Sequence, residues 1–169
     1  MTAHGPVIEA VHVVDDDPAL RDSLSILLQA HGFNVSTFET AERFLGATIL
    51  QPSGCVLIDV NMPGMSGIEL LVELKRRGFQ LPCIVMTGAG QVPLAVKAMK
   101  AGAADFLEKP FEVDILLDSL RDVLQQPARP KGREAALEKL ARLTPREREV
   151  MLGMASGQQN KAIANTLGI

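Results

Sequence analysis

An acidic triplet, Asp15-Asp16-Asp17, a single Asp59, Thr87 and Lys109 each closely follow a short apolar run of this chain. Carboxylates gathered at one place repel one another unless a cation sits among them. Hard oxygen ligands on an open edge suit Mg²⁺, which takes few protein ligands and keeps part of its water. Thr87 and Lys109 would add a hydroxyl donor and a positive charge to the same place. Each feature also has a plainer explanation. The triplet can cap a following helix, and for Asp17, which stands before Pro18, this is the better account. Asp59 is followed by Val60-Asn61-Met62-Pro63-Gly64, residues that shape loops whatever else they do. Their coincidence at strand ends favours a site over the separate explanations.

The elements that must position these residues follow from the apolar pattern. Short apolar runs occur at Ala10–Val14 and at 55–58, 83–86 and 105–107, with a weaker one at 33–38. They are too short for helices and continuous rather than alternating, as expected of strands buried on both faces of a parallel sheet. Helical stripes lie between them. Leu20, Leu24, Leu27 and Leu28 form one, opened by Asp17-Pro18 and closed by Gly32. Val92, Ala95, Val96 and Met99 form another, and Val113, Leu116, Leu117, Leu120, Val123 and Leu124 a third. Strand and helix alternate five times, which predicts an α/β fold with a five-stranded, parallel, doubly wound sheet. In such sheets ligands bind beyond the carboxyl ends of the strands, where the candidate residues gather. Gly88, Ala89 and Gly90 leave the rim of that edge open, as a plain loop would also do.

Composition narrows the classes. Of 169 residues, 47 % are hydrophobic and 22 % charged, a globular balance that excludes wholesale disorder. Cys55 and Cys83 both sit in apolar runs, which excludes a disulfide framework or a Cys-rich zinc module and suits a reducing compartment. His4, His12 and His31 are scattered singly, without ligand spacing. No apolar stretch approaches the roughly 20 residues of a membrane span. The first residues lack a basic region followed by an apolar core, so a soluble, cytoplasmic protein is expected.

The net charge of −3 divides into −7 over residues 1–125 and +4 over residues 126–169. The split suggests two units with different partners, the second facing a polyanion; chance clustering of solvated charges would look the same. After Leu124, the stretch Gln125-Gln126-Pro127-Ala128-Arg129-Pro130-Lys131-Gly132 reads as a linker. Units are therefore expected at 1–125 and 143–169, joined by a partly helical 126–142. Thr144-Pro145-Arg146-Glu147 combines an N-cap, a Pro at the first helical position and a Glu that completes a capping box. Gly157 ends that helix and 161–167 begins another, with no third helix before Ile169.

Four motifs carry a family likeness. Val13-Val14-Asp15-Asp16-Asp17-Pro18, Leu57-Ile58-Asp59-Val60-Asn61-Met62-Pro63-Gly64-Met65-Ser66-Gly67, Met86-Thr87-Gly88 and Lys109-Pro110-Phe111 resemble the receiver domain of two-component response regulators. The likeness spans about residues 8–125, and Ala98-Met99-Lys100-Ala101-Gly102-Ala103-Ala104-Asp105-Phe106-Leu107-Glu108-Lys109-Pro110 is similar to the FixJ branch. The resemblance implies a flavodoxin-like receiver whose Asp59 accepts a phosphoryl group from a sensor histidine kinase. It implies that Asp16, Asp59 and the main-chain carbonyl of Asn61 hold Mg²⁺, with Asp15 helping through water. It further implies a cis peptide before Pro110, an aromatic switch at Phe106 and a dimer face along the fourth helix and fifth strand. Chemistry supports the site independently. Phosphoryl transfer needs positioning and charge neutralisation more than acid–base groups. Lys109 offers a cation on a flexible stem, Thr87 a hydroxyl donor, and a cis bond is tolerated only before proline. Phe106 would serve equally as a core aromatic.

Leu143-Thr144-Pro145-Arg146-Glu147-Arg148-Glu149-Val150-Met151, with Gly157, Asn160-Lys161, Ile163-Ala164 and Leu167-Gly168-Ile169, resembles the first part of a LuxR-type helix-turn-helix. The reader helix of such a domain would follow Ile169. The residues present would contact phosphates at most, with Lys161 the candidate. The resulting expectation is a phosphorylation-activated transcription regulator with promoter DNA as its partner. It is not expected to be an enzyme beyond assisting its own phosphorylation and dephosphorylation. A magnesium-dependent phosphohydrolase using Asp59 would need a general acid or a covering cap, and neither is visible. A dinucleotide-binding module would need G-x-G-x-x-G after the first strand, where the acidic triplet stands.

Overall fold

The computed structural model describes residues 9–47 and 54–125. The expectations for the linker at 126–142 and the helix-turn-helix segment at 143–169, Lys161 included, lie outside the described residues. Five strands alternate with five helices: β1 (Ala10–Val14), α1 (Pro18–Ala30), β2 (Asn34–Phe38), α2 (Ala41–Ala47), β3 (Cys55–Asp59), α3 (Gly67–Arg76), β4 (Cys83–Thr87), α4 (Val92–Lys100), β5 (Asp105–Glu108) and α5 (Val113–Leu124). The strands form one parallel sheet in the order β2-β1-β3-β4-β5, the doubly wound arrangement expected from the sequence. Strand order reverses between β1 and β3, the place where such sheets open a crevice at their carboxyl edge.

β1, β3 and β4 are buried along their whole length because helices cover both faces. Alternate residues feed two cores. Val11, Val13, Leu57, Ile84 and Met86 meet α1 and α5 through Leu24, Leu28, Leu116 and Leu120. Val14, Val56, Ile58 and Val85 meet α2, α3 and α4 through Phe44, Leu70, Leu74 and Met99. Cys55 belongs to the first core and Cys83 to the second, so the two thiols face opposite sides of the sheet. Burial pushes the Cys83 thiol up to about 12, in keeping with plain packing roles.

β2, at the sheet edge, is only partly buried, which is why its apolar signal is weak. It starts at Asn34 rather than at 33, because the Phe33 N–H donates to the Leu28 carbonyl at 3.0 Å in the turn that closes α1. Gly32, at φ +87°, makes that turn possible. At the opposite end, β3, β4 and β5 each run one residue past the apolar runs. Asp59 pairs with Met86, and Thr87 with Glu108. The ladder joins backbone groups, so it continues beyond the last apolar side chain and fixes these two residues as strand ends.

Local capping seats the helices. Asp17 accepts from the Ala19 and Leu20 N–H groups at 3.0 and 3.4 Å, so its role as the cap of α1 holds. Ser66 and Glu69 form a capping box at the start of α3. Gly67, the first residue of that helix, donates its N–H to the Val60 carbonyl at 3.0 Å. A Cβ at this position would lie 2.3 Å from the Asp59 carbonyl oxygen, so only glycine lets α3 sit this close to β3.

Candidate functional site

The site is assembled on three strand ends. Asp15 follows β1, and its N–H donates to the Phe38 carbonyl at 3.1 Å. Its carboxylate is fully buried and accepts from the Asp17 N–H at 2.9 Å. The Arg21 guanidinium donates to the Asp15 carbonyl at 2.6 Å, tying α1 to this turn. Asp59 closes β3 and is buried, while Asp16 is exposed beside them. One carboxylate oxygen from each of Asp15, Asp16 and Asp59 lies within 4.8 Å of the others. Lys109 reaches in from β5, its Nζ at 2.7 Å from Asp15 Oδ2 and 3.3 Å from Asp59 Oδ1. Its backbone N–H donates to the Thr87 carbonyl at 2.7 Å. The Lys109-Pro110 bond is cis, as expected.

One ammonium does not balance three carboxylates. Burial, reinforced by the charge on Asp15, raises Asp59 to about 6 against the pull of Lys109 and of the Asn61 N–H. Burial opposes the Lys109 ammonium, but its bond to Asp15 and the charges of Asp15 and Asp59 outweigh that and raise its pKa. An excess of negative charge on closely spaced hard oxygens is the donor set that a small divalent cation fits.

The other predicted residues surround this cluster. Thr87 is buried, and its hydroxyl donates to the Leu107 carbonyl over a long 3.4 Å. Asn61 is exposed, its side-chain amide donating to Gln91 Oε1 at 2.7 Å. Phe106 sits half-buried on β5, packed against the core on the α2–α4 side. Several contacts had no sequence signal. Gln91 Oε1 also accepts from the Gly88 N–H at 3.1 Å. Glu42 on α2 accepts from the Met65 N–H at 3.1 Å and so holds the loop after β3. His12 on β1 is buried between Phe38 and Phe44, ring centroids 6.3 and 5.8 Å away, with no hydrogen-bond partner for either ring nitrogen.

A parallel sheet of this order, with an acidic cluster, a threonine and a lysine converging on its carboxyl edge, defines a receiver. Residues 11–121 match the family model for the response regulator receiver domain, and residues 141–169 match that for bacterial regulatory proteins of the luxR family. The chain belongs to the two-component response regulators. Within them it is FixJ-like. The transcriptional regulatory protein FixJ of Bradyrhizobium diazoefficiens is 47 % identical over 164 residues, covering 94 % of this chain and 80 % of that protein. The transcriptional regulatory protein TdiR of Thauera aromatica is 39 % identical, covering 94 % and 72 %. The crystal structure of full-length FixJ from B. japonicum matches with a TM-score of 0.68 at 46 % identity, covering 95 % and 81 % of the two chains.

Receiver and LuxR-type units together are the architecture of phosphorylation-dependent transcription control. The family is one of response regulators and transcription factors, not typically enzymes, and its two units imply a kinase and DNA as partners. Receivers bind Mg²⁺ at an acidic pocket, and Asp15, Asp16 and Asp59 form such a cluster here. Among the described residues, no helix is long and apolar enough to cross a membrane.

Proposed function

We propose that Asp59 is the phosphoacceptor of this regulator and that a sensor histidine kinase is its donor. The observation that carries the reading is the position of the Asp59 carboxylate. It closes β3 among two further carboxylates, with the Lys109 ammonium 3.3 Å away. In the transfer, an Asp59 carboxylate oxygen attacks phosphorus and the P–N bond of the phosphohistidine breaks. The imidazole leaves with the electron pair, and an acyl phosphate remains. Lys109 Nζ, already shared between Asp15 and Asp59, pairs with a phosphoryl oxygen as the charge arrives. The Thr87 hydroxyl, loosely held on Leu107, donates to another oxygen once the group is in place.

Asp16, Asp59 and the main-chain carbonyl of Asn61 would hold Mg²⁺, with Asp15 acting through water. When bound there, the ion supplies positive charge for the phosphoryl oxygens. Phe106 turns inward as Thr87 moves, which passes the change to the face of α4 and β5 where two copies pair. The unit at 143–169, joined through 126–142, carries the response to promoter DNA, with Lys161 among its phosphate contacts. The protein works in the cytoplasm, and its own chemistry is limited to forming and losing the acyl phosphate.

The test is incubation with acetyl phosphate and Mg²⁺, followed by a phosphate-affinity gel and intact mass. One phosphoryl group per chain is expected in the wild type and none in Asp59→Asn. Comparable labelling of Asp59→Asn would remove Asp59 as acceptor. Rapid turnover of varied phosphoesters would show a hydrolase instead.

A further inference from the structure

We infer that Gln91 is a positioning residue whose side chain latches the loop after β3 to the loop after β4 and holds the site in its unphosphorylated arrangement. The inference rests on Asp59 being the acceptor. Gln91 occupies the N-cap position of α4, yet its side chain makes no cap bond. α1 and α3 are capped there by Asp17 and Ser66, the short polar types that the position favours. The Gln91 side chain reaches across the site instead. Its Oε1 accepts from Asn61 Nδ2 at 2.7 Å and from the Gly88 N–H at 3.1 Å. Two donors converge on one atom, which identifies that atom as the amide oxygen.

Both donors adjoin the chemistry. Asn61 lies two residues beyond Asp59, and Gly88 directly follows Thr87. The loop after β4 is otherwise held by its own turn, in which the Gln91 N–H donates to the Gly88 carbonyl at 3.2 Å, and by the Lys109 N–H on the Thr87 carbonyl at 2.7 Å. The Thr87 hydroxyl bond is long, and the Gly90 N–H donates to the exposed Glu108 carboxylate at 3.0 Å. When the Thr87 hydroxyl closes on a phosphoryl group at Asp59, the adjoining Gly88 amide travels with it. The bonds converging on Gln91 Oε1 then lengthen or break. A contact made in one state and lost in the other biases the population toward the first. The latch therefore slows entry into the phosphorylated arrangement.

The experiment measures the initial rate of phosphorylation by acetyl phosphate at saturating Mg²⁺, using the full chain. Gln91→Met keeps the length of the side chain but removes the acceptor. It is expected to raise the rate at least about two- to tenfold, the factor that one neutral hydrogen bond is worth, since both bonds to Oε1 are lost. Gln91→Glu retains an acceptor oxygen for both donors and should stay at or below the wild-type rate. Asn61→Ala cuts the other end of the latch, and Asn61→Ala with Gln91→Met should be no faster than the faster single variant. A purely structural role would make the two substitutions multiply and would not be rescued by glutamate. Thermal unfolding of each variant confirms that it is folded. An unchanged rate in Gln91→Met, a Gln91→Glu as fast as Gln91→Met, or multiplicative effects in the double variant would each overturn the latch. Label on Asp59→Asn would overturn the acceptor assignment instead, a separate outcome.

Discussion

Replacing Asp59, the proposed acceptor, by asparagine is expected to stabilise the metal-free protein. Burial first, and the charge on Asp15 second, raise Asp59 from 3.8 to about 6, a value that already includes the opposing pull of Lys109 and the Asn61 N–H. An acid with a higher pKa in the folded than in the unfolded chain binds its proton more tightly when folded. Its stabilising contribution is complete below about 3.8 and is lost as the pH rises through about 6. At about 1.4 kcal/mol per pH unit, that interval corresponds to about 3 kcal/mol lost by neutral pH. Asparagine stays neutral throughout and keeps the shape of the side chain. Urea unfolding in EDTA at about pH 7.5 should show Asp59→Asn more stable by roughly 1 to 3 kcal/mol. The advantage should shrink as the pH falls toward about 4. It should also shrink when Mg²⁺ is added, because the ion binds the folded wild type preferentially. A variant no more stable than wild type in EDTA at the higher pH would refute the argument that Asp59 is held ionised at a cost.

Three further outcomes are expected. Asp16→Ala should weaken Mg²⁺ binding by about tenfold or more, measured by titration, because it removes the exposed member of the carboxylate cluster; an unchanged affinity would place Asp16 outside the ion's ligands. Lys109→Met strips the ammonium from the buried Asp15 and from Asp59, and should cost roughly 2–4 kcal/mol in EDTA, less with Mg²⁺ present; equal loss in both conditions would argue against a shared charge-neutralising role. Burial lowers the pKa of His12, so the unfolded chain takes up its proton first and stability falls as the pH drops below about 6.5. His12→Phe should reduce that slope by up to about 1.4 kcal/mol per pH unit in urea unfolding, and parallel profiles would show that His12 does not carry it.

The strands and the site residues could be read from the sequence because each is announced locally. A buried parallel strand is a short apolar run, and a residue that ends it lands on the carboxyl edge whatever the rest of the chain does. Asp59, Thr87 and Lys109 were placed in this way. The edge strand β2 was legible only faintly, since half-exposed residues need not be apolar. What escaped were the contacts to distant segments made by residues around the carboxylate cluster. Asn61 and Gln91 are thirty residues apart, and nothing about a glutamine before Val92-Pro93 announces a partner across the sheet edge. Nothing in their sequence neighbourhood marks Arg21 or Glu42, although the first holds the Asp15 carbonyl and the second the Met65 amide. His12, a lone histidine without ligand spacing, carries no local signal either. Its surroundings, Phe38 from β2 and Phe44 from α2, are set by strand register and helix docking rather than by neighbours in sequence.

The glycine that begins α3 has a consequence for the direction in which the molecule can yield. A Cβ at Gly67 would stand 2.3 Å from the Asp59 carbonyl oxygen and 2.9 Å from both Ile58 Cγ2 and Val60 Cα, so the helix end rests against the Asp59 peptide like an anvil. Were Asp59 to take up the phosphoryl group proposed above, β3 would have no gap behind it into which to yield. The loop after β4 is looser: a Cβ at Gly88 would meet only the end of the Gln91 side chain, at 3.1 Å, and one at Gly90 nothing within 4 Å. Displacement is thus channelled toward β4 and β5 by the immobility of the other side. A larger residue at position 67 would lift α3 and open slack beneath Asp59. The recoil would then be spent there, leaving a protein able to take the phosphoryl group but with little motion left to transmit.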